Sequence, residues 1–217
     1  DRVITQVKWS ADDAKLYLTP QDQGAVPIVE YTLATKKFKT LTSTMEGVLG
    51  FDVAGDQFIY AKTSIENPSE LYMLSNGKES RLTDFNAVWL KDMQLAKAVK
   101  HQFINKLGQT VDYWVMKPIG FQEGKKFPLV LEIHGGPTAM WGTGEASMWH
   151  EFQYYAAKGY GIVYCNPRGS GGYGTPFMAS NVKDWGAGPM ADVMRVTDLA
   201  IKEGWADTTK LGVTGGS

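Results

Sequence analysis

Lys210-Leu211-Gly212-Val213-Thr214-Gly215-Gly216-Ser217 is a strand-like apolar stretch that runs directly into Gly-Gly-Ser. This order is the first half of the Gly-x-Ser-x-Gly pattern, in which a serine occupies a sharp turn between a strand and a helix. The turn is strained and needs small neighbours, and it lifts the serine Oγ clear of the sheet. Ser217 is therefore a candidate nucleophile, with the x-Gly half of the pattern past the last residue. Gly-Gly-Ser is also a common turn triplet, so its meaning depends on the rest of the chain.

Upstream, Leu129-Val130-Leu131-Glu132-Ile133 is a near-continuous apolar run that ends in His134-Gly135-Gly136-Pro137. In α/β-hydrolases the loop after the third strand donates a backbone N–H to the oxyanion hole, and His-Gly-Gly sequences occur there. Glycine lets that backbone approach a reacting carbonyl without side-chain interference. Gly136 is the candidate donor, and a preorganised donor of this kind lowers the barrier by roughly 3 kcal/mol. His134 reads as a loop-shaping residue that hydrogen-bonds the turn, rather than as a base.

A third segment, Asn166-Pro167-Arg168-Gly169-Ser170-Gly171-Gly172-Tyr173-Gly174, follows the apolar run Ile162-Val163-Tyr164-Cys165. Gly169, Gly171 and Gly174 satisfy the Gly-x-Gly-x-x-Gly spacing of dinucleotide sites. That fingerprint also requires the glycines to open a helix, and Thr175-Pro176 argues against one. The segment reads instead as a rigid loop beside the site, with Arg168 shaping it. His101 and His150 lack metal-ligand spacing, so no metal and no cofactor is expected. Asp184, Asp192, Asp198 and Asp207 read as solvated or helix-capping positions.

The two halves of the chain follow different patterns. Residues 1–91 read as short strands between polar turns, and the order repeats. From Leu16 to Phe58 is 42 residues, from Tyr31 to Tyr72 is 41, and from Leu41 to Leu82 is 41. An all-strand repeat of roughly 40 residues is the signature of β-propeller blades, although two unrelated β-meanders would give a similar pattern. Blades bury their faces only against neighbours, so the reading expects earlier blades upstream. Trp9 and Phe51 open the two copies.

Over residues 92–217, a hairpin around Asn105-Lys106-Leu107-Gly108 is followed by alternating apolar strands and helix-like segments. These segments cover residues 148–158 and 190–203. Strands alternating with amphipathic helices predict a parallel sheet covered on both faces. The predicted architecture is the last blades of a β-propeller followed by the N-terminal portion of an α/β-hydrolase fold, ending at the nucleophile elbow.

Composition narrows the function. The chain has 217 residues, is 43% hydrophobic and 21% charged, and carries a net charge of −1. Near-neutral charge gives no basis for nucleic-acid binding, and no run approaches the roughly 20 apolar residues of a membrane-spanning helix. The single cysteine, Cys165, excludes an internal disulfide and reads as a small core residue. Asp1-Arg2-Val3-Ile4 has no signal-peptide character, and the chain reads as beginning inside a domain. No compartment is assigned, and a homo-oligomer is left open.

Together these segments resemble the prolyl oligopeptidase family of serine peptidases, in its acylaminoacyl-peptidase and bacterial dipeptidyl-peptidase-like branch. The resemblance rests on Leu131-Glu132-Ile133-His134-Gly135-Gly136-Pro137 and the Asn166 to Gly174 segment. It rests equally on Asp184-Trp185-Gly186 with Gly204-Trp205-Ala206-Asp207, and on Gly212-Val213-Thr214-Gly215-Gly216-Ser217. It implies that Ser217 attacks the scissile carbonyl of a short peptide, with Gly136 and the residue after Ser217 binding the oxyanion. Phe152 would be a wall of the substrate pocket. The triad acid and histidine are expected beyond Ser217, in a missing C-terminal part of the hydrolase domain, so these residues alone are expected to be inactive. A carboxylesterase or lipase sharing the elbow, and a non-catalytic propeller binding module, are the alternatives.

Overall fold

The computed structural model describes residues 1–136 and 138–216; Pro137 and Ser217 lie outside the described residues. The chain divides into two compact units. One comprises Arg2–Met93 with Thr143–Ala146, and the other Asp1, Gln94–Gly142 and Ser147–Ser217.

The first unit holds two four-stranded antiparallel meanders. Strands β1 (Ile4–Trp9), β2 (Lys15–Pro20), β3 (Val29–Thr32) and β4 (Lys37–Thr40) pair in chain order. Strands β5 (Gly47–Ala54), β6 (Gln57–Ser64), β7 (Asn67–Ser75) and β8 (Lys78–Arg81) do the same, and a single helical turn, α1 (Ala87–Leu90), follows. Each meander has four strands where the sequence pattern announces three. The first strand of each copy carries no clean alternation. β1 is exposed at nearly every position, and β5 is interrupted by an irregularity between Val48 and Gly50. Tyr17, Ile28, Val48, Phe51, Phe58, Tyr60 and Leu74 form the core of this unit. The Tyr17 and Phe58 rings meet edge to face, 4.7 Å apart.

Two buried charges organise the second meander. Lys62 is 9% exposed and bridges Glu46 (3.1 Å) and Glu79 (2.6 Å). Glu70 is 1% exposed and accepts hydrogen bonds from Thr83 Oγ1 (2.5 Å), the backbone N–H groups of Asn86 (2.8 Å) and Phe85 (3.0 Å), and Arg81 (3.1 Å). Burial alone would raise its carboxyl, but these four donors outweigh it and hold the group down to about 2.

In the second unit, β9 (Ala98–Ile104) and β10 (Thr110–Met116) form a hairpin, followed by β11 (Phe127–Ile133), helix α2 (Trp149–Ala157) and β12 (Gly161–Cys165). A one-turn helix α3 (Thr175–Met178), helix α4 (Ala187–Lys202) and β13 (Ala206–Gly215) complete it. The spatial order is β13-β11-β12-β10-β9. β11 pairs in parallel with both β12 and β13, while β10 pairs antiparallel with β12 and β9. The predicted parallel sheet is therefore mixed: its three inner and edge strands β12, β11 and β13 are parallel, and the hairpin extends it antiparallel.

Period-two alternation sends the side chains to two faces. Val111, Val115, Leu129, Leu131, Val163 and Cys165 pack with Val193, Val196 and Ala200 of α4. On the opposite face Tyr164 stacks on Phe152 of α2, with ring centres 4.5 Å apart.

The Glu70 clamp gives a stability prediction. Glu70→Ala strands several donors and is expected to cost roughly 2–4 kcal/mol at neutral pH. Because the folded carboxyl lies below its ordinary 4.5, the stabilisation is complete above about 4.5 and is lost as pH falls through about 2. Urea unfolding of both proteins should therefore give a gap that closes in acid, and a gap unchanged with pH would contradict the clamp.

Candidate active site

Three adjacent parallel strands end at the same edge of the sheet. β11 leads into His134-Gly135-Gly136, β12 into Asn166-Pro167-Arg168-Gly169-Ser170, and β13 into Gly216. Gly215, the last residue of β13, lies in register with Ile133 of β11. A Cβ on Gly215 would stand 2.2 Å from the Ile133 carbonyl oxygen, so the close approach of these two strand ends requires glycine. This is the steric demand the Gly-x-Ser pattern encodes. Ser217 itself lies outside the described residues.

Gly136 is exposed and has φ of +118°, a conformation that favours glycine. A Cβ there would also meet the backbone nitrogen of Ala139 at 2.6 Å. Its loop is held from several sides. His134 Nδ1 lies 2.8 Å from the Gly135 carbonyl oxygen and Nε2 2.9 Å from Ser170 Oγ. A carbonyl only accepts, so Nδ1 carries the proton. Burial pushes the imidazole down, with the Gly135 contact opposing it. Ser170 Oγ, which faces Nε2, donates its one proton to the Pro167 carbonyl oxygen at 2.7 Å.

Two further links tie the loop after β11 to the loop after β12. The Gly171 N–H donates to the carbonyl oxygens of Thr138 (3.1 Å) and Ala139 (3.2 Å). Asn166 is completely buried, accepts from the Trp141 N–H (2.8 Å) and donates to the Trp141 carbonyl (2.7 Å). Gly171 is thus engaged with protein backbone. The glycine segment leads through Gly174 into the single turn of α3, unlike the long helix a dinucleotide fingerprint opens.

Arg168 is 7% exposed and forms a forked pair with Asp192 on α4. Nε lies 2.9 Å from Oδ2 and Nη2 2.8 Å from Oδ1. The Arg168 backbone N–H donates to Oδ2 as well, at 3.0 Å. Asp192, read from the sequence as a solvated or capping residue, is 1% exposed and is this buried partner instead. Its position on the inward stripe of α4, beside Val193 and Val196, was a signal the charge alone concealed. Asp184 does cap, accepting from the Gly188 N–H at 3.0 Å.

Beside these loops lies an apolar cleft of about 660 Å³, bordered by His134, Gly135 and Gly136 and by Arg168, Trp185 and Met190. Phe152, expected as a pocket wall, is 3% exposed and does not border this cleft. It lies in the core, edge to face with Trp141 with ring centres 5.6 Å apart, because the inward stripe of α2 carries it there with Ala156. Among the described residues no group of three or more His, Cys, Asp or Glu side chains could hold a metal ion. Cys165 is buried, and burial pushes its thiol up, away from nucleophilic chemistry.

The ion pair can be tested by its asymmetry. Asp192→Ala leaves a buried guanidinium unpaired and is expected to cost roughly 3–5 kcal/mol, while an Arg168→Met, Asp192→Leu double variant recovers most of that loss. Chemical denaturation of the three proteins checks this, and a single variant within roughly 0.5 kcal/mol of the parent would contradict it.

Residues 146–217 match the family described as Peptidase_S9, prolyl oligopeptidase family. The chain is 36% identical over 213 residues to "Uncharacterized peptidase YuxL" of Bacillus subtilis (strain 168), covering 96% of this chain and 32% of that protein. It is 25% identical over 219 residues to "Dipeptidyl-peptidase 5" of Porphyromonas gingivalis, covering 100% of this chain and 32% of that one. Among solved structures, an acylaminoacyl peptidase of Pyrococcus horikoshii superposes with a TM-score of 0.87 at 31% identity, over 99% of this chain and 33% of that one. The chain thus spans about a third of the length of these relatives. The resemblance read from its motifs is to the prolyl oligopeptidase family of peptidases, and that is the family its residues 146–217 match.

Proposed function

We propose that this chain is the central part of a serine peptidase, in which the last blades of a β-propeller (residues 1–91) precede the start of an α/β-hydrolase domain (residues 92–217). Ser217 attacks the scissile carbonyl of a short peptide and forms an acyl-enzyme. The Gly136 N–H, with the N–H of the residue after Ser217, binds the oxyanion. The observation that carries this reading is the parallel pairing of β11 with β13 through Ile133 and Gly215. It brings the His134–Gly136 loop beside the strand that leads to Ser217. Two four-stranded meanders offset by about 41 residues support the propeller assignment.

His134 and Arg168 act on loop shape. His134 has Nδ1 engaged with the Gly135 carbonyl and Nε2 with Ser170, and Arg168 is committed to Asp192, so neither is free to serve as the base. A serine hydroxyl without a base is a weak nucleophile. The 217-residue chain alone is therefore expected to resist a fluorophosphonate probe. In a longer polypeptide that supplies the triad acid and histidine, the probe should label Ser217, and Ser217→Ala should abolish labelling. Rapid labelling of the 217 residues alone would overturn this account.

Substrate class is tested on that longer polypeptide by comparing an aminoacyl or dipeptidyl anilide with a simple acyl ester. Hydrolysis of the anilides is the expected outcome. Activity confined to the ester would favour a carboxylesterase, and no labelling or turnover at all would favour a binding module.

A further inference from the structure

One row of side chains crosses the α2 face of the mixed sheet: Lys100 on β9, Trp114 on β10, Tyr164 on β12, Glu132 on β11 and Thr214 on β13, each in register with the next. Three of the five are buried polar groups that find no hydrogen-bond partner among the described residues: Trp114 Nε1, Tyr164 Oη and both carboxyl oxygens of Glu132. Glu132 is 1% exposed. A buried carboxylate without donors is among the most costly arrangements in a protein, and the group neutralises before it pays that penalty.

The surroundings make the charged form harder to accommodate. The Tyr164 ring lies between Trp114 (5.2 Å, planes 7° apart) and Phe152 (4.5 Å, 21°), with Trp141 at its edge (6.4 Å). That stack holds the ring against turning its hydroxyl toward Glu132. The charged groups facing this region offer no compensation. From α2, Glu151 adds a like charge, and from β9 the Lys100 ammonium is committed to Asp112 at 2.8 Å. On β11 itself His134 has Nδ1 and Nε2 engaged with Gly135 and Ser170. From β12 and β13 come only Tyr164 and the uncharged Thr214.

We propose that Glu132 is a positioning residue of this site, a neutral carboxylic acid locked into the sheet whose ionisation displaces the end of β11 that carries the His134–Gly136 loop. Loss of its proton to solvent creates a carboxylate with no hydrogen-bond partner among the described residues, and that charge gains water only if the strand end moves. Glu132 lies two residues before His134 and four before Gly136, so the displacement is delivered to the loop itself. Burial first, and Glu151 second, push the carboxyl up to about 7, within the range where a peptidase works. The link to activity rests on the peptidase reading; the protonation and the movement do not.

The test compares the protein with Glu132→Gln, an isosteric copy of the neutral acid, between roughly pH 5.5 and 8.5. Carbon-13 NMR of the Glu132 carboxyl should show a midpoint well above the ordinary 4.5. Hydrogen-exchange protection of the β11 and residue 134–136 amides, corrected for intrinsic rates, should fall roughly tenfold across that range in the parent and stay level in Glu132→Gln. In the active polypeptide kcat should show a basic limb that Glu132→Gln lacks, with KM little changed. A carboxyl that titrates near 4.5, or equal loss of protection in both proteins, would overturn the proposal. If no peptide is turned over by any form, the peptidase reading falls while titration and exchange still decide this one. If Glu132→Gln fails to fold, the carboxyl titration and exchange of the parent decide alone.

Discussion

The parallel pairing of β11 with both of its neighbours is the constraint on which the site depends. In parallel strands the chain leaves every strand at the same end, and that end is where open α/β sheets place their ligand-binding loops. Here it brings together the loop after β11, the loop after β12 and Gly216 at the end of β13. An antiparallel partner at any of these positions would send one loop to the far edge. The hairpin strands β9 and β10 pair antiparallel, and because β10 is also antiparallel to β12 their connecting turn lies at this same edge, where Asn105 Nδ2 reaches Asp192.

Parallel pairing brings the loops together, and a polar network fixes their shapes. Asn166 holds Trp141, Gly171 holds Thr138 and Ala139, and Ser170 holds His134. The Arg168–Asp192 pair then ties the loop after β12 to α4. Buried pairs of this kind add little net stability over apolar packing, but losing one partner is costly. Their contribution here is geometric: a forked guanidinium–carboxylate contact allows one placement of the loop. Glu132 on β11 is the opposite case, a buried carboxyl with no hydrogen-bond partner among the described residues. The site therefore combines a rigid loop pair with a strand end whose order depends on a proton.

Much of this was legible in the sequence. The apolar runs at 129–133 and 162–165 fall within β11 and β12, because near-continuous apolar stretches bounded by turns leave little ambiguity. The first strands β1 and β5 were less legible: an exposed edge strand and a glycine-interrupted one carry no clean period. β13 begins at Ala206, five residues before the apolar run at Leu211. Within its polar start the Asp207 carboxylate accepts from the Thr209 N–H at 3.0 Å. In the site, the glycine loops were readable because backbone geometry restricts residue type. Asp192, Asn166 and Ser170 were not, because a buried polar side chain differs from a solvated one only through a partner distant in sequence. Phe152 was assigned by family resemblance alone, and the inward stripe of α2 buries it among the described residues.

In the proposed peptidase the Gly136 N–H and Ser217 Oγ converge on one reacting carbonyl. The most direct measurement is a crystal structure of the active polypeptide with a peptidyl trifluoromethyl ketone, which forms a tetrahedral adduct resembling the transition state. A covalent bond to Ser217 Oγ is expected, with an oxyanion within hydrogen-bond distance, roughly 3 Å, of the Gly136 N–H. An adduct on another residue, or an oxyanion directed away from the His134–Gly136 loop, would contradict it.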